Sequence, residues 1–190
     1  MGSGKSAAAS ILREMGYKVM DADQLGRDVT RKGQPLLRLL VKEFGIDIIR
    51  QDGELDRKLL ADICFEDREK TRRLNELVQT AILCRACERA YKYKIKNKNR
   101  DKVLFFEVPL LFEAGWDKYV DEIWLVTAPE DLRVERIKKR DNLSEEQIRA
   151  RIRLQMSEEE KMKMSDVIIE NDEGIGKLRM ELQKAIKERL

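Results

Sequence analysis

Short runs of consecutive apolar residues constrain this chain more than any other feature in it: Val103-Leu104-Phe105-Phe106, Ile123-Trp124-Leu125-Val126 and, after Asp166, Val167-Ile168-Ile169. Each is too short for a buried helix. Each is apolar at successive positions rather than alternate ones, so both faces of the strand it forms must be covered. Tyr17 to Met20 is a further run of this kind; it stops at Asp21-Ala22-Asp23 and reads as a strand feeding a loop. Helical patterns separate these runs. Strands covered on both faces and alternating with helices predict an α/β fold with a parallel sheet flanked by helices.

The helical segments have their own punctuation. Residues 4 to 15 predict a helix with Ala7, Ala8, Ile11, Leu12 and Met15 on its apolar face and Gly16 just past its end. From residue 24 to residue 98 helices dominate, broken at Gly33-Gln34-Pro35 and Gln51-Asp52-Gly53. Leu36, Leu37, Leu39, Leu40 and Phe44 supply one amphipathic piece; Leu55, Leu59, Leu60 and Ile63 supply another. Arg68 to Lys96 reads as one long helix. Pro129 is placed as the first residue of the helix after the Ile123 run, and Ser144 with Gln147 forms a capping box for the next. Residues 174 to 190 close the chain as a helix.

A chain of 190 residues suits one domain with small appended subdomains. The net charge of +3 gives little reason to expect nucleic acid, and no apolar run is long enough for a membrane helix. Cysteine occurs only at Cys64, Cys84 and Cys87, an odd set that fits a reducing cytosol, hence a cytoplasmic location, better than a disulfide scaffold. The Cys84/Cys87 pair falls inside the long helix, and the chain has no histidine, so the pair is read as thiols on a buried helix face rather than a metal site. The basic run from Lys92 to Arg100 reads as a solvated helix end.

The chain opens Met1-Gly2-Ser3-Gly4-Lys5-Ser6 and passes straight into a helix. Gly4-Lys5-Ser6 matches the end of a phosphate-binding loop, G-x-x-x-x-G-K-[ST]. Glycines let the backbone curl so that successive N–H groups face phosphate oxygens, and the helix that follows adds free N–H groups and its positive end. Lys5 is then placed for the β- and γ-phosphates, and the Ser6 hydroxyl for Mg²⁺. The same residues also fit Met-Gly-x-x-x-Ser, an acylation signal, which leaves Gly4 and Lys5 unexplained.

With these residues in hand the chain resembles the dephospho-CoA kinase family, over essentially its whole length. The segments that carry the resemblance are GSGKS with its helix, Asp21-Ala22-Asp23, Gly53-Glu54-Leu55-Asp56-Arg57, and Pro109-Leu110-Leu111-Phe112-Glu113. Beyond them come Arg136 with Arg140-Asp141 ahead of Leu143-Ser144-Glu145-Glu146, and then the block of Gln155, Glu159-Glu160-Lys161 and Ser165-Asp166 to Asn171. The resemblance implies a P-loop NTPase fold and ATP-dependent phosphorylation of the ribose 3′-hydroxyl of dephospho-CoA, with Mg²⁺ and no obligate protein partner. It implies a core at about 1–29 and 99–190, a helical CoA-binding subdomain at about 30–98 and a lid at about 138–163.

The site residues follow from the same matches. Catalysis is expected at Lys5, Asp23 and Arg140, with Asp23 orienting and deprotonating the acceptor hydroxyl and Arg140 reaching the moving phosphoryl from the lid. ATP is expected along Gly2, Ser3, Gly4, Lys5, Ser6 and Ala7, with Asn171 near the adenine. Asp21, Arg57, Pro109, Leu110 and Glu113 are expected on the substrate side, Arg57 and Glu113 being equally readable as structural ion-pair partners.

The chain departs from the family at named points. The family's first strand and two more loop glycines would precede Met1, so the chain is expected to be N-terminally truncated, lacking the strand that lies mid-sheet. Ala7 stands where the family usually has a second hydroxyl, and Leu77-Val78-Gln79 where it usually has His-Pro. The competing readings are a nucleotide or nucleoside kinase of the same class, and a non-catalytic nucleotide-binding chain.

Overall fold

A computed structural model describes residues 1–65, 67–96 and 103–190. The chain divides into two compact units, Met1–Val19 with Val103–Leu190, and Met20–Lys102. Among the described residues no helix is long and apolar enough to cross a membrane.

The first unit begins with α1 (Lys5–Glu14), which buries Ala8, Ala9, Ile11 and Leu12. Its stop is the one read from the sequence: Gly16 takes φ +89, and Tyr17 N donates to Leu12 O at 3.0 Å. The strands are β1 (Lys18–Asp21), whose Lys18 and Val19 belong to this unit, β2 (Leu104–Glu107), β3 (Trp124–Thr127) and β4 (Val167–Glu170). Each matches an apolar run of the sequence to within a residue. β3 and β4 pair in parallel, Trp124 opposite Val167 through Thr127 opposite Glu170. β1 pairs with β2, and among the described residues the sheet is two such pairs, with β2 not hydrogen-bonded to β3. Aromatic rings link the pairs instead: Phe105 meets Tyr17 edge-on at 5.4 Å and Trp124 at 5.3 Å.

The remaining elements of this unit are α6 (Glu130–Asp141), α7 (Glu145–Arg153), α8 (Glu158–Lys163) and α9 (Ile175–Arg189). Leu178, Leu182 and Ala185 of α9 join Ala8, Ile11, Leu12, Val126 and Ile169 in the main core. Those spacings put one face of α9 and one face of α1 on the strands. Val134 and Ile137 of α6 pack with Ile148 of α7 in a second, smaller cluster. The Ser144 capping box forms as read, and Ser157 with Glu160 builds a second one that opens α8. Pro129 does not enter the helix: it is the N-cap of α6, one residue earlier than expected, with φ −50 and an extended ψ of 141. A proline ring fits the cap as readily as the first helical position, because neither needs its N–H.

The second unit is helical: α2 (Ala22–Val29), α3 (Pro35–Phe44), α4 (Arg57–Phe65) and α5 (Arg68–Lys96). Gly26 lets α2 approach α5, since a Cβ there would lie 3.3 Å from Ile82 Cδ1. Pro35 opens α3, which buries Leu36, Leu37 and Leu40 and leaves Leu39 half exposed. The turn expected at Gln51-Asp52-Gly53 joins a single antiparallel bridge, Ile49 to Leu55.

Two expectations fail in this unit. No loop follows β1: Asp21 ends the strand and its carboxylate accepts from Gln24 N at 3.0 Å, so α2 starts at the next residue. Cys84 and Cys87 are exposed, not buried; only Cys64 is inside. The buried face of α5 is set by Ile82 and Ala86, and residues 84 and 87 are turned away from it by the 100° step of the helix. Lys92 pairs with Glu88 at 2.5 Å, as a solvated helix side chain does, while residues 97–100 of the basic run lie outside the described residues.

Candidate functional site

The loop ahead of α1 is bent by glycine at two points. Gly2 has φ +73 and Gly4 φ +97, the left-handed region that side chains avoid. Space forbids a side chain as well. A Cβ on Gly2 would lie 2.7 Å from the carbonyl oxygen of Arg133 and 3.0 Å from Ile137, and a Cβ on Gly4 would lie 2.1 Å from Asn171 Nδ2. Asn171 follows β4 directly. It is 4% exposed, its backbone N donates to Thr127 O at 2.9 Å, and its Nδ2 donates to Ser3 O at 2.8 Å. The end of the sheet therefore grips the loop backbone, and Ser3 is itself buried.

Charges converge on this loop. Burial, and then the neighbouring Lys161 ammonium, push the Lys5 amine below its ordinary value, with Glu107 opposing them. Ser6 Oγ donates to Glu107 Oε1 at 2.6 Å. Arg133, whose side chain is 7% exposed, donates through Nε to Met1 O at 2.9 Å and through Nη1 to Glu158 at 2.7 Å. Glu158 also accepts from Thr127 Oγ1 at the end of β3. Lys161 Nζ lies 3.0 Å from Glu113 Oε1, and Met156 N donates to the same carboxylate oxygen at 3.1 Å. Burial works to raise the Glu113 carboxyl, but backbone donors and Lys161 outweigh it and hold it below the usual range. A ring of cations around a curled backbone ahead of a helix is suited to a polyanion such as a polyphosphate.

The residues nominated from the sequence thus fall into groups. Gly2, Ser3, Gly4, Lys5 and Ser6 share the loop, and Asn171 is bonded to it; Ala7 packs against the main core. Glu113 is an ion-pair partner of Lys161. Pro109 and Leu110 are exposed in the tight turns after β2. Arg140 is exposed at the end of α6, bidentate with Asp141 at 2.6 and 2.7 Å. In the second unit, Asp23 and Arg57 line one cavity of about 560 Å³ with Leu40, Leu60, Asn75 and Val78. Arg57 donates to Thr30 Oγ1 at 2.5 Å across it. Asp21, which caps α2, is not in its lining. This cavity is concave, largely apolar and of a size that takes a small molecule.

Sequence reasoning missed Glu107, Arg133, Glu158 and a role for Lys161. Glu107 had a signal, being the carboxylate at the C-terminal end of a strand, where sheets of this kind bind ligands. The other three sit on helix faces among many charged residues, and only the packing distinguishes them.

The family model described as dephospho-CoA kinase matches residues 1–177. A dephospho-CoA kinase of Carboxydothermus hydrogenoformans is 37% identical over 182 residues, 95% of this chain and 86% of the relative. One from Bacillus cereus is 38% identical over 185 residues, covering 97% and 91%. Among solved structures, the dephospho-CoA kinase from Campylobacter jejuni superposes with a TM-score of 0.74 at 28% identity, over 99% of this chain and 92% of the other. A Thermus thermophilus protein reaches 0.77 at 33% identity, over 100% and 94%. With a parallel-stranded α/β core, a glycine-bent loop before α1 and matches of this extent, the chain belongs to the dephospho-CoA kinase family.

Proposed function

We propose that this protein transfers the γ-phosphoryl group of ATP to the ribose 3′-hydroxyl of dephospho-CoA, completing coenzyme A. The observation that carries the reading is the loop at Gly2–Ser6, fixed from behind by Asn171 and faced by Lys5. Backbone N–H groups and Lys5 take the phosphates, and Lys161 and Arg133 add positive potential around them. The family match supplies the acceptor.

The reading assigns the acceptor side to the second unit. Asp23, on the wall of the 560 Å³ cavity, accepts the proton of the attacking hydroxyl, and Arg57 on the same wall holds an anionic part of the substrate. Asp21 holds Asp23 in place indirectly, by fixing the start of α2. Arg140 contributes charge to the moving phosphoryl, Pro109 and Leu110 offer apolar surface, and Glu113 acts through Lys161. Asn171 orders the loop on which the nucleotide rests.

Ser6 Oγ and the Glu107 carboxylate are hard oxygen donors 2.6 Å apart, a set that fits Mg²⁺ alongside phosphate oxygens. When bound, Mg²⁺ supplies charge neutralisation at the phosphates.

The test is ADP release with ATP, Mg²⁺ and dephospho-CoA, run beside Lys5→Met. Turnover that depends on dephospho-CoA and is lost in the variant supports the reading. Equal turnover with nucleosides or nucleotides in place of dephospho-CoA would move the assignment to another kinase of this class.

A further inference from the structure

A groove of about 640 Å³ runs between α3 and α5 in the second unit. Leu36 and Leu39 of α3 form one wall, and Leu39 is half exposed. The other wall is two neighbouring rows of α5 at i, i+4 spacing, Arg73-Leu77-Ala81-Arg85 and Glu76-Thr80-Cys84-Glu88. Arg73 and every residue of the second row are exposed. Both rows are small or apolar in the middle and charged at the ends. One is basic at both ends, the other acidic at both ends.

Rows of this spacing are the ridges by which helices pack on one another. The small middle lets a second helix come close, and the ends fix what that helix must carry: carboxylates for Arg73 and Arg85, cations for Glu76 and Glu88. A second α5 meets the demand. Arg73 and Glu88, Glu76 and Arg85, Leu77 and Cys84, and Thr80 and Ala81 each stand equally far, in opposite directions, from the midpoint between Thr80 and Ala81. A twofold axis through that midpoint runs two copies of α5 antiparallel and brings the members of each pair to the same height. When the helices cross at about −50°, the commonest angle for ridges of this spacing, the basic-ended row of one copy lies along the acidic-ended row of the other. Within one chain the same charges meet at the surface. Arg73 lies 3.4 Å from both Glu43 and Glu76, Arg85 lies 3.6 Å from Glu88, and Lys92 lies 2.5 Å from Glu88. Arg85 also donates to Gln34 Oε1 at 2.9 Å. Such pairs contribute little alone. A second copy leaves the i, i+3 pairs in place and closes them into a ring of alternating charges at either end of the crossing.

We infer that the groove between α3 and α5 seats a second copy of this chain, in a twofold dimer in which α5 crosses α5. None of the eight α5 residues belongs to the phosphate loop or lines the cavity of Asp23 and Arg57, so association is measured apart from turnover.

Sedimentation equilibrium across a range of protein concentrations tests this with two charge-reversed proteins. In Arg73→Glu/Arg85→Glu both rows end in acid, and in Glu76→Arg/Glu88→Arg both end in base. The native protein should dimerise, more weakly as salt is raised. Each variant alone should dimerise about tenfold more weakly or worse, and an equimolar mixture of the two should associate at least as tightly as the native protein. Recovery in the mixture distinguishes a broken interface from a variant that has lost its fold. In the native protein a thiol reagent should reach Cys84 more slowly as protein concentration rises, and Cys87, outside the groove lining, at a constant rate. Four results overturn the inference: a native protein that stays monomeric at every concentration, variants that dimerise as the native protein does, folded variants whose mixture does not recover, or equal shielding of Cys84 and Cys87.

Discussion

Replacing Gly4 by alanine places a methyl carbon 2.1 Å from the amide nitrogen that holds the loop, at a φ of +97. Both problems fall on one residue, so Gly4→Ala should cost roughly 1–3 kcal/mol from strain alone and raise the KM for ATP more than that for dephospho-CoA. Steady-state kinetics with either substrate varied checks it. Lys5 makes a second prediction, with a sign fixed by linkage. Its folded pKa lies below the unfolded value of 10.5, through burial first and Lys161 second. The folded state is thus penalised while Lys5 is charged, fully so at pH values below the lowered pKa. The penalty shrinks as pH rises toward 10.5, because the folded protein has shed a proton that the unfolded chain still binds. Lys5→Met should therefore raise the neutral-pH melting temperature while abolishing turnover, and its thermal advantage should shrink with increasing pH. At the cysteines, burial raises the Cys64 thiol, whereas Cys84 and Cys87 are exposed. A disulfide reagent should modify the latter two in the native protein and reach Cys64 only on unfolding.

At the scale of elements, buried charge matters more than surface charge. Most ion pairs of this chain join exposed side chains and contribute little. Among the described residues Arg133 and Lys161 differ, each a buried cation in an ion pair, and the Arg133 guanidinium has one carboxylate to answer it. Glu158→Gln should destabilise the protein by about 3 kcal/mol by leaving that charge underpaired, measurable as a shift of the urea midpoint. Ser144→Ala, which removes an exposed cap, should cost about 1 kcal/mol by the same measurement. The elements were legible in the sequence because their signals are local: apolar runs for β2, β3 and β4, Gly16 for the end of α1, Ser144 and Gln147 for the start of α7. What the sequence did not disclose depends on rotation about a helix axis. Cys84 and Cys87 look alike in spacing whether they face in or out, and Ile82 and Ala86 decide it. The candidate site divided along the same line. The loop residues are contiguous and could be read directly, whereas Arg133, Glu158 and Lys161 become site residues only when α6 and α8 dock.

For the whole molecule, the two units carry different halves of the proposed reaction, and a variant in each should separate them. Asp23→Asn should lower kcat by roughly 10²- to 10⁴-fold while leaving ATP affinity intact, since Asp23 belongs to the helical unit and the phosphate loop to the other. Isothermal titration with ATP alongside turnover would show the split, and a matching loss of ATP affinity would count against it. The hydrogen bond from Asn171 to Ser3 spans 168 positions of the chain. During synthesis the loop residues leave the ribosome long before the amide that shapes them, 168 positions later. A nascent chain that has exposed everything through Lys163 holds the lysine and the glycines and has no clasp behind them. Nucleotide binding should then switch on abruptly in chains of increasing length, at the point where β4 and Asn171 emerge, so that affinity for ATP serves as a clock for completion of the fold.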